Sequence, residues 1–141
     1  MKRVGFLGCG KIGKALVSYI SERKDTSVAF IQDPCFKNNI GFGGPVITGE
    51  MSEEEQERLY ENADLIVECA NARVLSENLE KMLKHSDVML FSVTAFSDPE
   101  FEKKAADLSS RYGKNIYIPH GAVLGMDGIF DGRKVWTQVT I

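Results

Sequence analysis

The sequence predicts an α/β fold: a doubly wound parallel sheet covered by helices on both faces. Three observations predict it. Short apolar runs of strand length alternate with helical segments from Arg3 as far as Ile118. A glycine-rich turn joins the first strand to the first helix, and an acidic residue, Asp33, closes the second strand 20 residues after the last glycine of that turn. Strict alternation of strand and helix argues for parallel pairing, because each crossover needs a connecting helix.

The elements follow in order. Arg3 to Leu7 is a short apolar run bounded by glycine and reads as a buried strand. Lys11 to Arg23 carries Ile12, Ala15, Leu16, Tyr19 and Ile20 at helical spacing. Ser27 to Asp33 is strand-like again. Pro34 to Gly49 is rich in Gly, Asn and Pro and reads as loop, with a short strand expected at Pro45 to Thr48. Ser52-Glu53-Glu54-Glu55 has the form of a capping box, opening a helix to about Asn62. Asp64 to Cys69 is the next strand. Ala72 to Lys84 is a helix with Leu75, Leu79, Met82 and Leu83 on one side, and Asp87 to Val93 is a strand. Ser97-Asp98-Pro99-Glu100 combines a cap, a first-turn proline and an acid, so a helix starts there. Its apolar positions are Phe101, Ala105, Leu108 and Tyr112, and Gly113 ends it. Asn115 to Ile118 is another strand.

Composition narrows the function classes. With 17 basic against 20 acidic residues the net charge is −3, which gives no support to a nucleic-acid partner. No apolar stretch approaches the roughly 20 residues a membrane span needs, so no membrane partner is expected. Cys9, Cys35 and Cys69 are odd in number and form no CxxC pair. Neither a disulfide framework nor a metal site is expected, and reduced thiols fit a cytoplasmic protein.

The most informative motif is Gly8-Cys9-Gly10-Lys11-Ile12-Gly13. It follows a predicted strand and opens a helix, which is the context a dinucleotide-binding, Rossmann-type turn requires. Gly8 permits the tight turn, Gly10 lets a pyrophosphate approach, and Gly13 lets helix and strand pack closely. The free amides of the helix start, around Lys11 and Ile12, attract phosphate. Asp33 stands where an acid binds the adenosine ribose hydroxyls, which favours NAD. NADP is the second candidate, because Lys37 is nearby in sequence. A ligand-free glycine turn, and an Asp-Pro turn at Asp33-Pro34, are the structural alternatives.

Further strand ends read Glu68-Cys69-Ala70-Asn71, Ser92-Val93-Thr94-Ala95 and Pro119-His120-Gly121-Ala122. In open α/β sheets the ligand lies beyond such carboxyl ends. Taken in order, GFLGCGKIG, DLIVECAN, DVMLFSVTAFSDPE and IYIPHGAVLGMDGI resemble the N-terminal half of the L-aspartate dehydrogenases, a family related to the NAD-binding domains of homoserine dehydrogenases. The resemblance implies reversible oxidative deamination of L-aspartate to iminoaspartate with NAD or NADP. It implies that Gly8, Gly10, Lys11, Ile12, Gly13 and Asp33 hold the adenosine diphosphate half. Cys69 and Ala70 would lie along the ribose near the nicotinamide, and Ala122 would contact the cofactor. His120 stands where the family commonly has serine; a proton shuttle and a plain hydrogen-bonding loop residue are its two readings. His85, near a helix C-terminus, is expected to be structural.

The resemblance places the family's catalytic histidine beyond Ile141. The expected organisation is therefore an NAD(P)-binding domain over residues 1–133 and, over 134–141, the start of a truncated or absent second domain. Lys134 to Ile141 alternates as a strand with two faces and needs a partner. A homo-oligomer paired through that strand is one expectation. A nucleotide-binding module without its own catalysis, and a homoserine- or semialdehyde-type dehydrogenase domain, are the functional alternatives.

Overall fold

A computed structural model describes residues 1–37, 40–119, 133–135 and 137–138. Among the described residues the strands are β1 (Lys2–Leu7), β2 (Thr26–Gln32), β3 (Val46–Ile47), β4 (Leu65–Glu68), β5 (Asp87–Leu90) and β6 (Ile116–Tyr117). The helices are α1 (Lys11–Ser21), α2 (Glu53–Glu61), α3 (Ala72–His85) and α4 (Pro99–Tyr112). The strands form one sheet in the order β3-β2-β1-β4-β5-β6, with every pairing parallel. The order reverses at β1, with β2 on one side and β4 on the other, which makes the doubly wound arrangement expected from the alternation.

Both faces of the sheet are buried. Neighbours along a strand point to opposite faces, and Phe30 and Ile31, like Ile66 and Val67, enter two different apolar clusters. One cluster joins Val4, Phe6, Ile31 and Val67 to Val17 of α1. The other joins Phe30, Ile66, Val88 and Leu90 to the buried stripes of α3 and α4. Leu75, Leu79, Met82 and Leu83 of α3 are fully buried, as their spacing predicted, each stabilising the fold by on the order of 2 kcal/mol.

Helix starts follow the local chemistry. Ser52 and Glu55 form a reciprocal capping box on α2. Asn71 caps α3 by accepting from Val74 N at 3.0 Å. Asp98, with Pro99 in the first turn, caps α4 by accepting from Glu100 N at 3.0 Å. Gly113 ends α4 in the left-handed conformation, φ +62°. Arg3 clamps β1 to the start of β4: its backbone N and its guanidinium both donate to Asp64, at 2.7 and 2.8 Å.

Two expectations need correcting. The strand expected to run from Asp87 to Val93 stops at Leu90. The hydroxyl and amide of Ser92 turn into the carboxylate of Glu68, and Val93–Ser97 then winds as a 3₁₀ turn. In α1 Gly13 and Val17 are buried against the sheet and the expected Leu16 and Ile20 pack partly buried beside them, while Ile12, Ala15 and Tyr19 are exposed. Tyr19 lies under the Arg23 guanidinium instead, 5.7 Å from ring centroid to charge. Ala122, His120 and half of the strand expected over Lys134–Ile141 lie outside the described residues; Arg133–Val135 form a turn. Among the described residues no helix is long and apolar enough to cross a membrane, and no cluster of ligating side chains fits a metal ion.

Candidate functional site

The carboxyl ends of β1, β2 and β4 converge on a cleft of about 380 Å³. Its walls come from the glycine turn after β1 (Gly8, Gly10), from Asp33 and Pro34 after β2, and from Cys69, Ala70 and Asn71 after β4. Gln32, Val74 and Asn78 complete the lining. This is the point where the strand order reverses, the place an open α/β sheet offers a ligand.

The glycines have separate physical reasons. Gly8 has φ +86°, and a Cβ there would lie 2.7–2.8 Å from backbone atoms of Cys69 and Ala70. Its own N donates to Gln32 O at 2.8 Å, so the turn is wedged between the ends of β2 and β4. A Cβ on Gly13 would meet Gly8 O at 2.8 Å, so this glycine sets how closely α1 approaches the turn. At Gly10 a Cβ would meet nothing within 4 Å; the residue lines the cleft and leaves the space over the helix end open.

That helix end is short of partners. Gly10 is the N-cap of α1 and supplies no side-chain hydrogen bond, and the first turn holds no acid. The first turns of α2 and α4, by contrast, carry Glu53, Glu54 and Glu55, and Glu100 and Glu102. The donors at Lys11, Ile12 and Gly13 are thus left to whatever anion enters the cleft. The side chains of Lys11 and Ile12 are exposed, and Gly13 is buried.

Asp33 is more than a strand-ending acid. Its Oδ2 accepts from Cys9 N at 2.6 Å, and its Oδ1 accepts from Cys35 N at 2.7 Å. The carboxylate thereby fastens the glycine turn to the loop after β2. A carboxylate has about four acceptor sites, so two bonds leave room for the hydroxyls of a ribose.

Glu68 is the residue that reading the sequence missed. It is fully buried at the end of β4. Its Oε1 accepts from Ala70 N at 2.7 Å and from Ser92 Oγ at 2.8 Å, and its Oε2 accepts from Ser92 N at 3.1 Å. The loops after β4 and β5 are therefore tied to one buried group. The signal was present: a charged residue ending the apolar run Leu65-Ile66-Val67, with a serine at the same end of the next strand. Gln32, Val74 and Asn78 were also missed, because they reach the cleft from a strand end and from within a helix.

The thiols at the site are poor nucleophiles. Burial, then the nearby Glu68 and Cys9, push the Cys69 thiol up to about 12. Burial, then Asp33, raises Cys9 as well. Both stay protonated near neutrality and neither is suited to attack; Cys69 lines the cleft, whereas Cys9 is buried among Val4, Phe6 and Val17. A larger and more open groove of about 620 Å³ lies between α3, the 3₁₀ turn and α4, lined by Arg73, Thr94, Asp98 and Lys104 among others. None of the glycine turn reaches it.

A glycine turn wedged at the switch point, an uncapped helix start and a strand-end acid across the cleft define a nicotinamide-dinucleotide-binding domain of the α/β dehydrogenases. More particularly, the chain belongs to the homoserine dehydrogenase NAD-binding domain family, whose model matches residues 8–119. Among known proteins it is 30% identical over 135 residues to the L-aspartate dehydrogenase of Methanocaldococcus jannaschii, covering 92% of this chain and 49% of that protein. It is 32% identical over 139 residues to that of Methanococcus maripaludis, covering 94% and 50%. The chain thus spans about half the length of these relatives. The crystal structure of aspartate dehydrogenase from Thermotoga maritima superposes with a TM-score of 0.68 at 21% identity, over 95% of this chain and 52% of that one. The likeness to L-aspartate dehydrogenases read from the four sequence segments holds.

Proposed function

We propose that this chain is the cofactor-binding half of an L-aspartate dehydrogenase, and that the cleft holds NAD. The observation that carries the reading is the uncapped start of α1 opening into a cleft whose far wall bears Asp33. Once bound, a nicotinamide dinucleotide supplies a two-electron hydride acceptor, and the reaction proposed for the whole enzyme is oxidative deamination of L-aspartate to iminoaspartate.

The chain's own residues bind and orient. The amides around Lys11, Ile12 and Gly13 receive the pyrophosphate, with Gly8 and Gly10 keeping the turn narrow and the approach clear. Asp33 receives the adenosine ribose hydroxyls, and its negative charge disfavours a 2′-phosphate. Cys69 and Ala70 form the wall along the second ribose, at a position that Glu68 sets through Ala70 N. By its family position Ala122 contacts the cofactor as well. Holding ring and substrate side by side contributes through proximity and orientation. The three cysteines are free thiols, in keeping with a reducing, cytoplasmic setting.

Two experiments test this. Titrating the chain with NADH and NADPH, followed by nicotinamide fluorescence, is expected to show saturable binding with NADH the tighter. Equal affinity for both refutes the role given to Asp33, and binding of neither refutes the cofactor assignment. The protein expressed from its full reading frame is expected to form NADH from L-aspartate. NADH formed from L-homoserine and not from L-aspartate overturns the substrate.

A further inference from the structure

A polar chain runs beneath the cleft and ends in it. Lys81 Nζ donates to Gln56 Oε1 at 3.0 Å. An ammonium only donates, so the Gln56 atom facing it must be the oxygen, and Gln56 Nε2 must point away. That nitrogen donates to Asn78 Oδ1 at 2.7 Å and to Tyr60 Oη at 3.0 Å. Asn78 is fixed independently in the same sense, since its Nδ2 donates to the backbone oxygen of Val74 at 2.8 Å. Tyr60 is fully buried, and burial pushes its hydroxyl up to about 12, so it keeps its proton. Having accepted from Gln56, it donates to Gln32 Oε1 at 3.2 Å, the shorter contact of the two it makes with acceptors; Asn78 Oδ1 lies at 3.5 Å.

The polarity of Gln32 is therefore dictated from a distance. With Oε1 taken by Tyr60, the Nε2 amide is the free end. No described residue pairs with it. Among the described residues the lone fully buried, unpaired side-chain nitrogen or oxygen is His85 Nε2, so Gln32 Nε2 is accessible. Gln32 lines the cleft beside Asp33, Pro34 and Val74. Between Asp33, proposed for the ribose, and the apolar edges of Pro34 and Val74 there is space for the flat base attached to that ribose.

We infer that Gln32 is a specificity-determining residue that reads the base of the dinucleotide, its side-chain amide donating to the acceptor nitrogen N1 of adenine. A purine whose N1 carries a hydrogen, such as hypoxanthine, presents a donor to this donor and is disfavoured. The inference rests on the cofactor reading above and adds to it a source of base selectivity that the glycine turn and Asp33 do not supply.

The test compares affinities for NADH and for reduced nicotinamide hypoxanthine dinucleotide, measured on the full chain by nicotinamide fluorescence. Wild type is expected to prefer NADH by about five-fold, the scale of one hydrogen bond exchanged for a donor–donor contact. Gln32→Glu keeps the acceptor for Tyr60 and presents an acceptor to the cleft, so the preference is expected to invert. Any general repulsion of phosphates cancels in the ratio. Tyr60→Phe, outside the cleft, removes the hydroxyl that donates to Gln32 Oε1 and lets the Gln32 amide turn over, so it is expected to shrink the preference while leaving NADH bound. It reports even if Gln32→Glu fails to fold. Equal wild-type affinity for the two dinucleotides, or an unchanged preference in either folded variant, overturns the role of Gln32 and leaves the cofactor reading standing. A wild-type chain that binds neither dinucleotide removes both.

Discussion

Replacing Gly8 by alanine separates the structural from the ligand-binding role of the glycine turn. At φ +86° an L side chain is strained by about 1–2 kcal/mol. The new methyl would also lie 2.7–2.8 Å from the backbone of Cys69 and Ala70. That backbone cannot withdraw freely, since Cys69 N donates to Leu7 O at 2.8 Å and Ala70 N to Glu68 Oε1 at 2.7 Å. Overpacking against a fixed neighbour adds about 1–3 kcal/mol. The total, about 2–5 kcal/mol, is a large part of the roughly 5–15 kcal/mol that stabilises a domain. At about 3–4 °C per kcal/mol for this size, the melting temperature should fall by about 6–20 °C. Gly10→Ala is the internal control: its methyl meets nothing within 4 Å, so stability should change by less than about 0.5 kcal/mol while NADH affinity drops. Thermal unfolding by circular dichroism and NADH titration read the two effects. A Gly8→Ala chain that melts with wild type, or a Gly10→Ala chain destabilised as much as Gly8→Ala, refutes the reasoning.

Other outcomes follow from the same geometry. Glu68→Gln keeps the shape but turns an N–H2 toward the donors at Ala70 and Ser92; urea unfolding should show a loss of about 1–3 kcal/mol, and NADH binding should weaken as the loop after β4 moves. Arg3, through its guanidinium and backbone bonds, holds the Asp64 carboxyl down at about 2 against an ordinary 3.8, so the clamp is intact above about pH 4 and lost as pH falls toward 2. Because both side chains are substantially exposed, its worth is about 0.5–1 kcal/mol. Asp64→Asn should lose that amount near pH 7 in urea titrations and show a flatter acid limb; an unchanged acid limb rules the clamp out. Ser52→Ala removes the capping box of α2 and should cost about 1 kcal/mol by urea unfolding, with NADH affinity unchanged.

Most of the fold was legible because strong local signals agreed with the tertiary structure. The Ser52 box, the Asp98-Pro99 start and the Gly113 stop are decided within a few residues. The β5 boundary was not legible. Phe91, Ser92 and Val93 continue an apolar, strand-forming run, and only a carboxylate 24 residues earlier draws Ser92 out of line. The exposed Ile12 and Tyr19 of α1 were likewise opaque, because periodicity reports an apolar stripe but not its rotation against the sheet. At the site, glycine spacing and Asp33 could be read because their chemistry is local to the turn. Glu68 and Gln32 take their roles from partners on other strands and helices, and no spacing rule connects Gln32 to Lys81.

The strand order has a consequence for how this chain comes into being. Of the six described strands β1 is synthesised first, and it sits at the centre of the sheet, with one edge paired to β2 and the other to β4. The β2 edge can be satisfied almost at once, but Arg3 meets Asp64 only across 61 residues of chain. At about 5–20 residues per second, translation leaves the β4-facing edge of β1 without its partner for about 3–12 seconds. During that interval Val4, Phe6 and Leu7 present a short apolar strand with an open hydrogen-bonding edge, the surface a nascent chain most needs shielded. The placement that makes β1 the foundation of the binding cleft therefore also makes it the segment most exposed to mispairing on the ribosome.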